Sequence, residues 1–134
     1  RLGGERADKR LAHWRAVASA ACEQCGRNRV PLIHPAQSLA AWLERSGGAS
    51  TPPAATQTPA RGARLLLSLQ GDARALREVE AGAGPATLLS GPEGGLTQAE
   101  QAAALAAGFV PVTLGPRVLR AETAPLAALA ALTL

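Results

Sequence analysis

Two short apolar runs each break off at a Gly-Pro dipeptide, and this repeated arrangement constrains the fold more than any other feature of the chain. Residues 86–90 (ATLLS) run straight into Gly91-Pro92-Glu93-Gly94-Gly95, and residues 109–114 (FVPVTL) run into Gly115-Pro116. Apolar runs of this length, bounded by glycine and proline, read as buried strands. A third run, RLLLSL at 64–69, precedes them. Helical patterns separate and follow these strands. Residues 72–81 (DARALREVEA) predict one helix. Thr97 and Glu100 have the spacing of a capping box and open a helix to Ala107 that Gly108 ends. A last helix is expected over about 122–132, apolar through Leu126, Leu129 and Leu132. Strands alternating with helices predict an α/β fold, a parallel sheet with helices on both faces. Ligands of such sheets bind at the carboxyl ends of strands, where both Gly-Pro turns fall.

The first third of the chain reads differently. Residues 8–25 predict a helix started by Asp8, with Leu11, Trp14, Val17 or Ala18, and Ala21 along one face. Gly26 is the expected left-handed terminator, followed by a polar turn at Arg27-Asn28-Arg29. Residues 30–33 are apolar, but Pro31 makes them an edge strand at best. A short helix is expected at 36–45 with Leu39, Trp42 and Leu43. Residues 46–62 (SGGASTPPAATQTPARG) have almost no apolar bulk and read as a flexible loop or linker.

With 134 residues, 47% of them hydrophobic and 18% charged, the chain is expected to be one globular domain rather than a disordered one. No apolar run is long enough to span a bilayer, and no secretory signal opens the chain. These features lead us to expect a cytoplasmic protein with no membrane association. A sequence that starts at Arg1 and contains no methionine is expected to be a fragment. The net charge of +4 is concentrated in residues 1–29, while residues 30–134 are neutral. All basic residues but Lys9 are arginine. Guanidinium forks match phosphate geometry, so this segment suits RNA contact, although a solvated helix face explains it as well.

Cys22 and Cys25 form a C-x-x-C, yet no second ligand pair accompanies them, and His13 and His34 stand isolated. Reduced thiols and no metal are the expectation. The stretch GPEGGLT at 91–97 lacks the Gly-Lys-Ser/Thr ending of a phosphate loop and the Rossmann glycine spacing. It makes a tight turn that a ligand can approach, or an ordinary strand-to-helix turn. LGPRVLRAETA at 114–124 packs Arg117, Arg120, Glu122 and Thr123 between an apolar strand and an apolar helix. Such groups serve a ligand, or Arg120 and Glu122 form a structural ion pair.

Taken in order, EQCGRNRVP (23–31), GPEGG (91–95) and LGPRVLRAETA (114–124) resemble the RsmE family, 16S rRNA (uracil-N3)-methyltransferases of the SPOUT class. The likeness runs from about Lys9 to Leu132, weakest across 46–62. It implies a SPOUT fold with a C-terminal trefoil knot, a rare exception to the unthreaded rule, and S-adenosyl-L-methionine as cofactor. It also implies that residues 1–134 are a catalytic domain, truncated at its N-terminus and without the family's PUA-like RNA-binding domain.

By the same resemblance, Leu69, Gly91, Glu93, Gly94, Leu114, Gly115, Leu119 and Thr123 are the candidates for the cofactor pocket. Arg120 and Arg117 are the candidate catalytic cations, with Glu122 to orient one of them or to act as general base. Arg27, Asn28 and Arg29 are candidates for RNA binding. A homodimer is implied, with the last helix and the 8–25 helix as interface elements. The competing expectation is a non-catalytic RNA-binding or interaction module with a degenerate pocket. Another small-substrate nucleotide enzyme is disfavoured by the missing Rossmann fingerprint.

Overall fold

The computed structural model describes residues 4–47, 62–79 and 84–133. The chain divides into two compact units, Arg1–Ser38 and Leu39–Leu134.

In the first unit, helix α1 spans Glu5–Gln24. It starts before the expected Asp8 cap: Gly4 occupies the N-cap without a side-chain hydrogen bond, and Asp8 lies within the first turn. There it still complements the positive end of the helix dipole, and Glu5 pairs with Lys9 at 2.7 Å. The C-terminus follows expectation. Gly26 has φ +69°, its N–H donates to the Glu23 carbonyl at 3.3 Å, and Arg27 N–H donates to the Cys22 carbonyl at 2.8 Å, a Schellman closure. Residues 30–33 form no strand. The Arg15 guanidinium instead donates to the Ile33 carbonyl at 3.2 Å.

The second unit contains α2 (Leu39–Gly47), β1 (Ala63–Leu67), β2 (Arg74–Ala75), a 3₁₀ turn at Leu76–Glu78, β3 (Ala86–Leu89), α3 (Gln98–Ala106), β4 (Val110–Thr113) and α4 (Thr123–Thr133). The strands form one parallel sheet in the order β2-β4-β1-β3. Adjacent residues of β1 point to opposite faces, as the period of two requires. Leu66 packs with Leu43 of α2, Ala104 of α3 and Phe109 on one face. Leu65 packs with Val112, Leu76 and Ala128 of α4 on the other. Helices therefore cover both faces, as expected.

The helix expected over 72–81 is absent from its described part. Ala73 N–H closes a turn onto the Gln70 carbonyl at 3.1 Å, and Arg74–Ala75 pair with Val112 and Thr113 at the sheet edge. Leu76 is then buried in the single 3₁₀ turn. Tertiary pairing overrides the helical composition. Of the loop expected at 46–62, Ser46 and Gly47 belong to α2, Gly62 leads into β1, and 48–61 lie outside the described residues.

Two details set the sheet's geometry. Arg64, on β1, donates to the Ala107 carbonyl at 2.7 Å and to the Ser46 carbonyl at 2.5 Å. Its guanidinium lies 5.5 Å from the centroid of Phe109, whose ring meets Trp42 at 5.9 Å. One side chain thus satisfies carbonyls at the ends of both helices on that face. The other detail is Pro111, which stands in β4 between two neighbouring strands. The Val112 carbonyl accepts from Ser68 N–H, toward β1, at 2.9 Å. The nitrogen of Pro111 therefore faces the β2 side, and β2 pairs only beyond it, at Val112 and Thr113.

Candidate functional site

Because the strands are parallel, β1, β3 and β4 all exit at one edge of the sheet, and a cavity of about 230 Å³ opens there. Three loops wall it. The exit of β1 contributes Ser68, Leu69 and Gln70. The exit of β3 contributes Ser90, Gly91, Pro92, Glu93, Gly95 and Leu96. The exit of β4 contributes Leu114, Arg117, Val118, Leu119 and Ala121. The Gly91-Pro92 bend thus lines the cavity directly, whereas Gly115-Pro116 does not and only Leu114 and Arg117 on either side of it do, with β1 between the two strands.

Each loop is held locally. In the β3 exit, Gly95 N–H donates to the Pro92 carbonyl at 2.8 Å. A Cβ on Gly91 would stand 3.2 Å from Leu96 N and 3.3 Å from its Cγ, so only glycine leaves this approach relaxed. The capping box forms as expected: Glu100 N–H donates to Thr97 Oγ1 at 3.2 Å, and Thr97 N–H donates to Glu100 Oε2 at 2.8 Å. The Thr97 N–H, together with the Thr97 hydroxyl that donates to the same Oε2 at 2.9 Å, holds the Glu100 carboxyl below the usual carboxylate range. In the β4 exit, the Thr113 hydroxyl donates to the Gly115 carbonyl at 3.1 Å and accepts from its N–H at 3.3 Å. Gly115 has φ +127°, a conformation side chains resist. The Arg120 carbonyl accepts from the N–H groups of Thr123 and Ala124 at 2.9 and 3.0 Å, which starts α4.

The cavity brings together Leu69, Gly91, Glu93, Leu114, Leu119 and Arg117 of the expected residues. Arg120 and Glu122 line a more open adjoining recess, which shares Glu93, Val118, Leu119 and Ala121 with the cavity. Gly94, Gly115 and Thr123 line neither recess: Gly94 is at the exposed tip of its loop, Gly115 holds the bend, and Thr123 opens α4. Arg27, Asn28 and Arg29 are exposed in the turn after α1, within the first unit. Cys22 is buried and Cys25 exposed, both as free thiols, and no metal-ligand cluster occurs among the described residues.

Arg120 and Glu122 do not form the ion pair that a structural reading would require. Among the described residues the ion pairs are Lys9–Glu5 and Arg77–Glu78. The side chains of Arg117, Arg120, Glu93 and Glu122 are exposed around the recesses with no protein partner among the described residues. The cavity wall itself is apolar through Leu66, Leu67, Val112 and Leu114, with the side chains of Ser68, Gln70, Ser90 and Gln101 as additional polar groups. Sequence reasoning did not anticipate these four. Gln101 is the informative omission, because a helical side chain leans toward the N-terminus of its helix and so reaches back over the loop before α3.

Residues 1–133 match the model of an RNA methyltransferase domain family. The ribosomal RNA small subunit methyltransferase E of Mycobacterium tuberculosis is 38% identical over 128 residues, covering 96% of this chain and 46% of the relative. The protein of the same name from Bacillus subtilis is 32% identical, covering 99% of this chain and 50% of the relative. A crystal structure of that methyltransferase from Neisseria gonorrhoeae, bound to S-adenosyl methionine, superposes with a TM-score of 0.81 at 42% identity, covering 98% of this chain and 49% of that one. A putative methyltransferase from Legionella pneumophila, in complex with the same cofactor, gives a TM-score of 0.81 at 30% identity, over 98% of this chain and 49% of that one. The chain spans about half the length of the relatives it matches.

Proposed function

The chain belongs to the RNA methyltransferase domain family, and from that premise we propose that it is the catalytic portion of an enzyme that methylates N3 of a uridine in 16S ribosomal RNA using S-adenosyl-L-methionine. The observation that carries this reading is the cavity at the strand exits, lined by Gly91-Pro92 and by Leu114 and Arg117, the residues that flank Gly115-Pro116. A relative of the same fold, 42% identical, was crystallised with that cofactor. The donor set suits the group: aliphatic walls accept an adenine ring, backbone at Gly91 can be approached closely, and Glu93 and Arg117 offer opposite charges to a zwitterionic, sulfonium-bearing ligand.

In this reading Leu69, Leu114 and Leu119 form the apolar slot. Gly91 presents backbone to the ligand, Gly94 and Gly115 shape the two loops around it, Glu93 faces cationic groups, and Thr123 fixes the start of α4. The methyl group comes from the sulfonium of S-adenosylmethionine. The N3–H bond of the uracil must break as the N3–CH₃ bond forms, so the acceptor is an imide anion or close to one. Arg120, in the adjoining recess, donates to the carbonyl oxygens flanking N3 and favours that anion. Arg117 is the second candidate. Glu122 orients Arg120 or takes the proton. Arg27, Asn28 and Arg29 contact the RNA, with phosphates as the first target of the two guanidinium groups.

A trefoil knot in the second half of the chain, a homodimer and a cytoplasmic setting complete the proposal. In support, no described helix is long and apolar enough to cross a membrane, and Leu126 and Leu129 of α4 are exposed at 68% and 51%. The test is titration calorimetry of the full-length protein with S-adenosylmethionine, followed by methylation of ribosomal RNA that lacks the mark. Binding and N3-methyluridine formation are expected. An intact fold with no cofactor binding points to the non-catalytic module.

A further inference from the structure

From the wall of the cavity we infer that Gln101 is a positioning residue, a strut that holds two of the three cavity loops at a fixed spacing and so sets the affinity for the cofactor. The inference rests on the reading of the cavity as the cofactor site. Gln101 lies in α3 and uses both ends of its amide. Its Nε2 donates to the Leu96 carbonyl at 3.0 Å, in the loop that leaves β3. Its Oε1 accepts from Nε2 of Gln70, in the loop that leaves β1. Gln70 N–H in turn donates to Ser68 Oγ at 3.1 Å, so the chain of contacts runs from one strand exit to the next. Gln70, Leu96 and Gln101 all border the cavity.

The arrangement is specific to an amide at this position. An apolar side chain of the same length supports neither loop. A carboxylate accepts from Gln70 but repels the Leu96 carbonyl. β1 and β3 are already paired in register, so the strut is not needed to form the sheet. It acts past the last ladder bonds, where the loops would otherwise move independently. Holding them in place before binding spares the ordering cost that the ligand would otherwise meet.

The test uses the full-length protein, with calorimetry and steady-state kinetics on wild type, Gln101→Leu, Gln70→Ala and the double variant. Gln101→Leu is expected to raise the cofactor Kd and KM about tenfold, the lower part of the range for two neutral hydrogen bonds. At saturating cofactor, kcat and the KM for RNA should stay within about twofold, because loop spacing acts on binding. Gln70→Ala is expected to weaken cofactor binding about threefold in the wild-type background and not at all beside Gln101→Leu, since Gln70 acts through Gln101. Equal Kd values for wild type and Gln101→Leu would overturn the inference, as would a Gln70→Ala effect that persists unchanged in the double variant. If Gln101→Leu fails to fold, the exposed Gln70→Ala decides by itself, and no loss of affinity counts against the strut. A wild-type protein that binds no S-adenosylmethionine refutes the cofactor reading, whereas wild-type binding with an indifferent Gln101→Leu refutes only the strut.

Discussion

The two ends of the sheet handle charge in opposite ways. Near the strand entries, Arg64 is engaged within the fold: its guanidinium donates to the carbonyls of Ser46 and Ala107 and lies near the Phe109 ring. At the strand exits, Arg117 and Arg120 stand with Glu93 and Glu122 around two recesses, and none of these side chains has a protein partner among the described residues. The same residue type closes helices at one end and remains available at the other. An arginine whose donors are met within the fold contributes to stability. One whose donors are unmet, beside a cavity, is free to act on a ligand.

Substitutions can break this contrast, and the largest expected effect is at the exit end. Arg120→Ala in the full-length enzyme should lower methylation of unmodified ribosomal RNA by about 100-fold, the scale of losing one preorganised donor. Its melting temperature should stay within about 2 °C, as for an exposed site. Unchanged turnover would remove Arg120 from the reaction. Arg64→Ala should do the reverse. Losing two charge-assisted hydrogen bonds to helix-end carbonyls is expected to cost about 2 kcal/mol in denaturant unfolding, while cofactor affinity measured well below the transition is retained.

Smaller changes sharpen the comparison. Gly91→Ala should cost about 1 kcal/mol of cofactor affinity, roughly fivefold in Kd, as Leu96 yields to the new methyl group. Enzyme that binds equally well would mean that the loop relaxes freely. The smallest effect concerns Glu100, whose carboxyl Thr97 holds below its usual range. The folded state then binds this proton at lower pH than the unfolded chain does. The stabilisation is present at neutral pH and lost as pH falls through the lowered value. The stability difference between wild type and Glu100→Gln should therefore shift against wild type on acidification. A difference that is constant from neutral to acid pH would exclude the capping carboxylate as its source.

Much of this was legible in the sequence where a short-range rule decides the structure. The three long strands, the Thr97–Glu100 capping box and the glycine closures at Gly26 and Gly108 depend on local apolar runs and backbone conformation. Residues 72–81 were misleading because their composition is helical, while the pairing of Arg74 with Val112 is a long-range event that no local pattern announces. Asp8 was a plausible cap, but the helix continues past it to Gly4. In the site, the Gly-Pro bends and the charges around them could be read in advance. Gln70 and Gln101 could not, because an amide at the start of a helix looks solvated until the fold shows which loop it reaches.

Pro111 carries a consequence of its own. Any upstream slip of β2 along β4 would set a peptide group opposite a nitrogen that has no hydrogen to offer. The alignment of this two-residue edge is thereby ratcheted in one direction. The span from Ser68 to Ala73, which carries Ser68, Leu69 and Gln70 of the cavity wall, is thereby kept from shifting toward the strand entries by an imino acid that is not itself in that wall.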